Sequence, residues 1–191
     1  MKNIKLLAIS GSLREASYNT SAINALKILA PIHVEIRVGE IGQLPLFNPD
    51  LENERNPPLE KLKSSLSASS GLIVATPEYA HGISGPLKNA LDWLVSALEF
   101  PDTAIMLINT SPRAHHAQDQ LREVLLTMSG DIVEGACVTV PLLGSGLDCD
   151  GIVKDDRIAV ELRTALTKFC EEICVKSSKT RTVEEQPKNR A

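Results

Sequence analysis

Residues 4–19 read IKLLAISGSLREASYN, and this stretch decides the architecture. An apolar run as short as residues 4–9, closed by Ser-Gly-Ser, reads as a strand covered on both faces, the kind that belongs to a parallel sheet. The chain then passes through a hydroxyl-rich turn into residues 18–29, where Ala22, Ala25, Leu26 and Leu29 fall at i, i+3, i+4 and i+7, the spacing of one helix face. Pro31 stops that helix. A buried strand leading through a turn into an amphipathic helix is the opening half of a β–α crossover.

The rest of the chain repeats the unit. Residues 33–38 (HVEIRV) alternate like an outer strand, and residues 42–58, with four prolines, are irregular. Residues 59–68 read as a helix, 71–75 (GLIVA) as a second buried strand and 85–98 as a helix. Residues 103–109 (TAIMLIN) make a third buried strand, 117–128 a helix, and 135–143 (GACVTVPLL) a last strand that Pro141 weakens or pushes to an edge. Residues 155–175 form the final helix. This order predicts an α/β fold, a five-stranded parallel sheet with helices on both faces, in a single domain over residues 1–175. Residues 176–191 read as a polar, basic, disordered tail.

Composition narrows the function. The 191 residues carry a formal charge of −4; the last sixteen hold five cations and two acids, so residues 1–175 carry −7. An acidic body does not suit nucleic acid or an anionic membrane. Six aromatic residues are too few for a base-stacking surface. No apolar run approaches the ~20 residues of a membrane span, and the start meets a Gly-Ser turn where a signal peptide would have its cleavage site, so a cytoplasmic location is expected. Cys137, Cys149, Cys170 and Cys174 lack zinc spacing; Cys170 and Cys174, four apart, read as small apolar packing on a helix face.

In an open parallel sheet a ligand sits beyond the carboxyl ends of the strands, here the loops after residues 9, 75 and 109. The first offers Ser12, Ser17, Asn19 and Arg14 at a helix start, where backbone N–H groups and hydroxyls suit a phosphate; capping by Ser17 or Asn19 is the plainer reading. It is neither a Walker loop nor G-x-G-x-x-G. The second, TPEYAHGISG, is a constrained path whose amides could hold a planar heterocycle; Glu78 and His81 are candidate proton carriers or solvated loop residues. In the third, TSPRAHH, the adjacent His115 and His116 lack metal-ligand spacing, and no metal is expected.

Together GSLREASYN (residues 11–19), LPLFNPDLE (44–52), PEYAHGISGPLKNALDW (77–93) and SPRAHHAQDQLREVL (111–125) resemble the NADPH-dependent FMN reductase family over about the first 145 residues. The resemblance implies a flavodoxin-like three-layer sandwich, a homodimer or homotetramer, FMN bound at the three loops, and two-electron transfer from NADPH or NADH to small-molecule acceptors such as quinones, free flavins, azo dyes or chromate. It places the phosphate loop on Ser12, Arg14, Ser17 and Asn19, with Leu13 and Tyr18 in the same turn. The ring-contacting loop falls on Pro77, Glu78 and Tyr79; the family's Asn is Ala80 here, its Gly is His81 and its Pro is Ser84. Ser111 matches a flavin-contacting serine, and residues 112–117 replace a glycine-rich stretch. It implies a ping-pong mechanism without an essential side-chain acid or base, because the flavin carries the hydride. Two rival readings are a flavodoxin-type electron carrier and a non-catalytic flavin-binding protein.

Overall fold

The computed structural model describes residues 3–184, with side chains described to residue 178. Its central sheet is built from β1 (Ile4–Ser10), β2 (Val34–Gly39), β3 (Gly71–Ala75), β6 (Ala104–Asn109), β7 (Asp131–Ile132) and β8 (Val138–Thr139). The order is β2-β1-β3-β6-β7, with β8 also on β6, and every pairing is parallel. Order reverses between β1 and β3: the chain goes out to β2, then returns past β1 to β3. The loops after β1 and β3 diverge there and leave a crevice. A separate hairpin, β4 (Glu78–Tyr79) with β5 (Gly82–Ile83), stands above the end of β3.

Pleating sorts each strand between two cores. Leu6 and Ala8, Ile73 and Ala75, and Met106 and Ile108 face α1 (Tyr18–Leu29), α5 (Cys149–Lys154) and α6 (Asp156–Glu184). Leu7 and Ile9, Leu72 and Val74, and Ile105 and Leu107 face α2 (Pro57–Ser67), α3 (Gly85–Leu94) and α4 (His115–Thr127). Both faces are therefore covered, as the unbroken apolar strands require. Helix starts follow the caps: Ser17 accepts from the Thr20 amide at 3.3 Å, Asn56 from the Leu59 amide at 3.2 Å, and Asp148 from the Gly151 amide at 2.8 Å. Ala30, ahead of Pro31, turns extended and ends α1.

Three expectations are corrected. The fifth strand position is not one strand over residues 135–143 but the short β7 and β8, separated by a 3-10 turn at Glu134–Ala136. Beyond β8 the amides of Val140 and Leu142 still bond Asn109 and Thr110, but Pro141 between them has no N–H to extend the ladder. The helix expected over 85–98 stops at Leu94, where consecutive turns bury Ala97 and Phe100 ahead of Pro101. The final helix continues to Glu184, past residue 175 where a tail was expected. The Ser177 and Ser178 hydroxyls back-bond to the carbonyls four residues earlier, and Lys176 pairs with Asp131, so these polar residues continue the helix. The part of the tail beyond 184 lies outside the described residues.

Proline-rich residues 42–58 are irregular apart from a 3-10 turn at Pro49–Leu51, and they are pinned to α3. The Pro45 carbonyl accepts from the Trp93 indole N–H at 2.8 Å and from Asn89 at 2.9 Å, while Phe47 meets Trp93 edge-on at 5.1 Å. Trp93, only 1% exposed, is thus a core residue. Cys170 is buried too, and burial pushes its thiol up to about 11. All four cysteines are free thiols.

At the start of β3, a Cβ on Gly71 would lie 2.8 Å from Phe169 Cζ and 2.9 Å from Ile173 Cδ1. Gly71→Ala is expected to force α6 outward and destabilise the fold by about 1–3 kcal/mol. A urea titration checks this: the midpoint should fall with the slope unchanged.

Candidate active site

The loop after β1 is tied to the loop after β3 at a single residue. Gly11 donates its N–H to the Ala75 carbonyl at 2.7 Å and accepts from the Ser84 hydroxyl at 2.5 Å. A Cβ there would stand 2.5 Å from Thr76 Oγ1 and 2.9 Å from Ser84 Oγ, so only glycine fits. Ser84 also accepts from the Leu87 amide at 3.3 Å, which makes it the cap of α3. On either side of Gly11, Ser10 Oγ lies 2.8 Å from Thr20 Oγ1, and Ser12 Oγ accepts from the Arg14 amide at 3.3 Å. Among the described residues the amides of Ser17, Tyr18 and Asn19 find no protein acceptor. They leave a set of donors at the positive end of α1.

Glu78 and Tyr79 lie on the hairpin, whose two-residue turn is Ala80 and His81, at φ 48° and 59°. Positive φ at both central residues suits Gly, and Asn, whose short amide can bond locally; other L-residues are strained there. The surroundings hold the turn in place. Glu78 Oε2 accepts from the Ala117 amide at 2.9 Å, Gln120 Oε1 accepts from the Ile83 amide at 2.8 Å, and the His81 ring stacks on His116 at 4.3 Å. Glu78 thereby serves the start of α4, whose preceding residue Ala114 provides no side-chain cap.

The loop after β6 joins them through Thr110, whose hydroxyl donates to Asn19 Oδ1 at 3.0 Å, buried. These three loops enclose a cavity of about 620 Å³ lined by Ser12, Arg14, Ser17, Tyr18, Asn19, Pro77, Glu78, Tyr79 and Ser111. Three other candidates stand outside its lining. Leu13 turns away over Gly42, and Ala80 and His81 form the hairpin tip. Sequence reading missed Arg113 as a lining residue, and it missed a fourth wall, Leu143 and residues 146–148, which Tyr18 holds by accepting from the Gly146 amide at 3.2 Å. Asp148 capping α5 was the one local signal for that wall. Among the described residues no group of three His, Cys, Asp or Glu is arranged to hold a metal.

The profile of the family described as NADPH-dependent FMN reductase matches residues 4–142. The chain belongs to the NADPH-dependent FMN reductase family. It is 33% identical over 161 residues to an NAD(P)H-dependent FMN reductase of Pseudomonas aeruginosa, covering 81% of this chain and 87% of that protein. A quinone reductase of Escherichia coli is 29% identical over 143 residues, 69% of this chain and 74% of its own. Among solved structures, the flavoenzyme NAD(P)H:(acceptor) oxidoreductase FerB of Paracoccus denitrificans superposes with a TM-score of 0.74 at 25% identity, covering 89% of this chain and 97% of that one. The chain is accordingly an oxidoreductase of flavodoxin-like fold that uses FMN and NAD(P)H.

The resemblance puts Asn-Gly where this chain has Ala80-His81, the two positions of the hairpin turn that have positive φ. Asn and Gly are the preferred residues of a turn with two positive φ angles, so Ala80 and His81 hold this backbone at a cost in strain. Ser84 supplies the link to Gly11. Ala80→Asn is expected to stabilise the protein by about 0.5–1 kcal/mol by relieving the left-handed backbone. Thermal unfolding with and without FMN checks it, and no gain in the free protein would show that the turn is unstrained.

Proposed function

We propose that FMN binds in the 620 Å³ cavity, with its phosphate at the start of α1 and its ring against the hairpin backbone. The convergence of the loops after β1, β3 and β6 on one cavity at the switch point carries this reading. Ser12, Arg14 and Ser17, with the amides of Tyr18 and Asn19, would hold the phosphate. Pro77, Glu78, Tyr79 and Ser111 would hold the ring system. When bound, FMN supplies two-electron transfer from NAD(P)H to an acceptor such as a quinone or a free flavin in a ping-pong sequence. The chain's share is placement: Glu78 accepts from the Ala117 amide with one carboxylate oxygen and so fixes the hairpin.

We place residues 1–175 in one FMN-binding domain that works as a homodimer or homotetramer in the cytoplasm. Val95, Leu98 and Leu126, all more than half exposed on the α2–α4 side, give a second copy apolar surface to bury. Free thiols at all four cysteines suit a reducing compartment, and among the described residues no helix is long and apolar enough to cross a membrane.

Two measurements test the proposal. Anaerobic addition of one equivalent of NADPH or NADH to the FMN-loaded protein should bleach the flavin, and a quinone should restore the colour; bound flavin that neither nucleotide reduces would identify an electron carrier instead. Replacing Arg14 and Ser17 together with Ala should weaken FMN binding at least tenfold by fluorescence titration. Unchanged affinity would remove the phosphate from the α1 start.

A further inference from the structure

Four charged side chains line the cavity, and they divide unevenly. Its two carboxylates are both occupied: Glu78 accepts from the Ala117 amide at 2.9 Å and Asp148 from the Gly151 amide at 2.8 Å, so each offsets the positive end of a helix. The two guanidiniums, Arg14 and Arg113, have no carboxylate or carbonyl partner among the described residues. In a chain of net charge −4, two unpaired arginines in one cavity are a binding feature for anions.

They are not placed to serve the same group. Arg14 is in the loop after β1 and Arg113 in the loop after β6; β3 and its hairpin lie between them, so the two loops spring from strands about 10 Å apart. FMN carries one phosphate, and the unpaired amides at the start of α1 lie beside Arg14. Arg113 is left for a second anionic ligand entering the same cavity. Its backbone is held by two contacts: its amide donates to Ser111 Oγ at 3.3 Å, and its carbonyl lies 3.2 Å from His115 Nδ1. Next to it the His115 ring lies tilted against His116 at 4.1 Å, and His116 stacks on His81 at 4.3 Å.

We infer that Arg113 is a specificity-determining residue that binds a phosphate of the pyridine nucleotide donor. This rests on the reading of the cavity as an FMN site reduced by NAD(P)H. The phosphate is either the 2′-phosphate, which only NADPH carries, or the pyrophosphate, which both nucleotides carry. In this role Arg113 is a positioning residue that sets how tightly the donor is held, and FMN affinity does not depend on it. The fork of a guanidinium makes it a better match to phosphate than lysine in the same place.

The test compares the FMN-loaded wild type with Arg113→Ala and Arg113→Lys, using anaerobic flavin reduction by NADPH, by NADH and by 1-benzyl-1,4-dihydronicotinamide, which has no phosphate. In Arg113→Ala the NADPH concentration for half-maximal reduction should rise about tenfold or more, with the limiting rate little changed and partial recovery in Arg113→Lys. A rise confined to NADPH assigns the 2′-phosphate; an equal rise for NADH assigns the pyrophosphate. Either supports the inference. Unchanged NADPH dependence, an equal loss with the benzyl donor, or a weakened FMN affinity overturns it, because the residue would then be idle, structural or part of the flavin site. Failure of all three donors to reduce the wild-type flavin would instead overturn the proposed function itself.

Discussion

The close approach of β1 and β3 at Gly11 is the constraint on which the site depends. Two strands of a parallel sheet can leave a crevice at a switch point only if the loops beyond them separate, yet a ligand cradle needs those loops held in register. Gly11 reconciles these demands with one bond to Ala75 and one from Ser84, in a space that admits no Cβ. The same serine caps α3, so the loop after β1, the loop after β3 and a helix start are fixed by one residue pair. A disturbance there would move both halves of the cavity together.

A second layer of constraint comes from α4. Its first turn is capped by a carboxylate from the β3 hairpin, and Gln120 on the same helix accepts from that hairpin's backbone. The hairpin can therefore carry two non-glycine residues at positive φ, a strain of about 1–2 kcal/mol each in an isolated chain. The strained turn sits at the tip and the surrounding contacts determine it, while Glu78 and Tyr79 below it face the cavity. Strain maintained by tertiary contacts at the edge of a binding site is a recurring arrangement.

The acidic character of the chain reads differently with the cavity in view. The body as a whole repels anions, and yet the charges inside the cavity favour them, because its acids are committed to helix ends and its arginines are not. Local commitment of carboxylates, more than net charge, sets the electrostatics that an anion entering the cavity meets.

Much of the fold was legible without coordinates. The buried strands at residues 4–9, 71–75 and 103–109 and the helices between them follow from local periodicity and caps, since a strand covered on both faces must be apolar throughout. The motifs also marked the loops after β1, β3 and β6. What local pattern could not supply was contact between distant segments. Leu13 lies in the phosphate-loop motif but leaves the cavity for Gly42; Arg113 lies in a loop the motifs marked, but its side chain's place in the cavity is set by the fold; and Leu143 and residues 146–148 join at a wall where Tyr18 holds Gly146. The broken fifth strand and the helical continuation past residue 175 have the same origin, in an edge that Pro141 cannot extend and in pairing of Lys176 with Asp131. By itself the sequence determined which segments are strand or helix and which loops carry chemistry, because those depend on neighbours in the chain. The tertiary structure decided strand order, which side chains share the cavity and which charges remain unpaired, because those depend on partners up to 128 residues away.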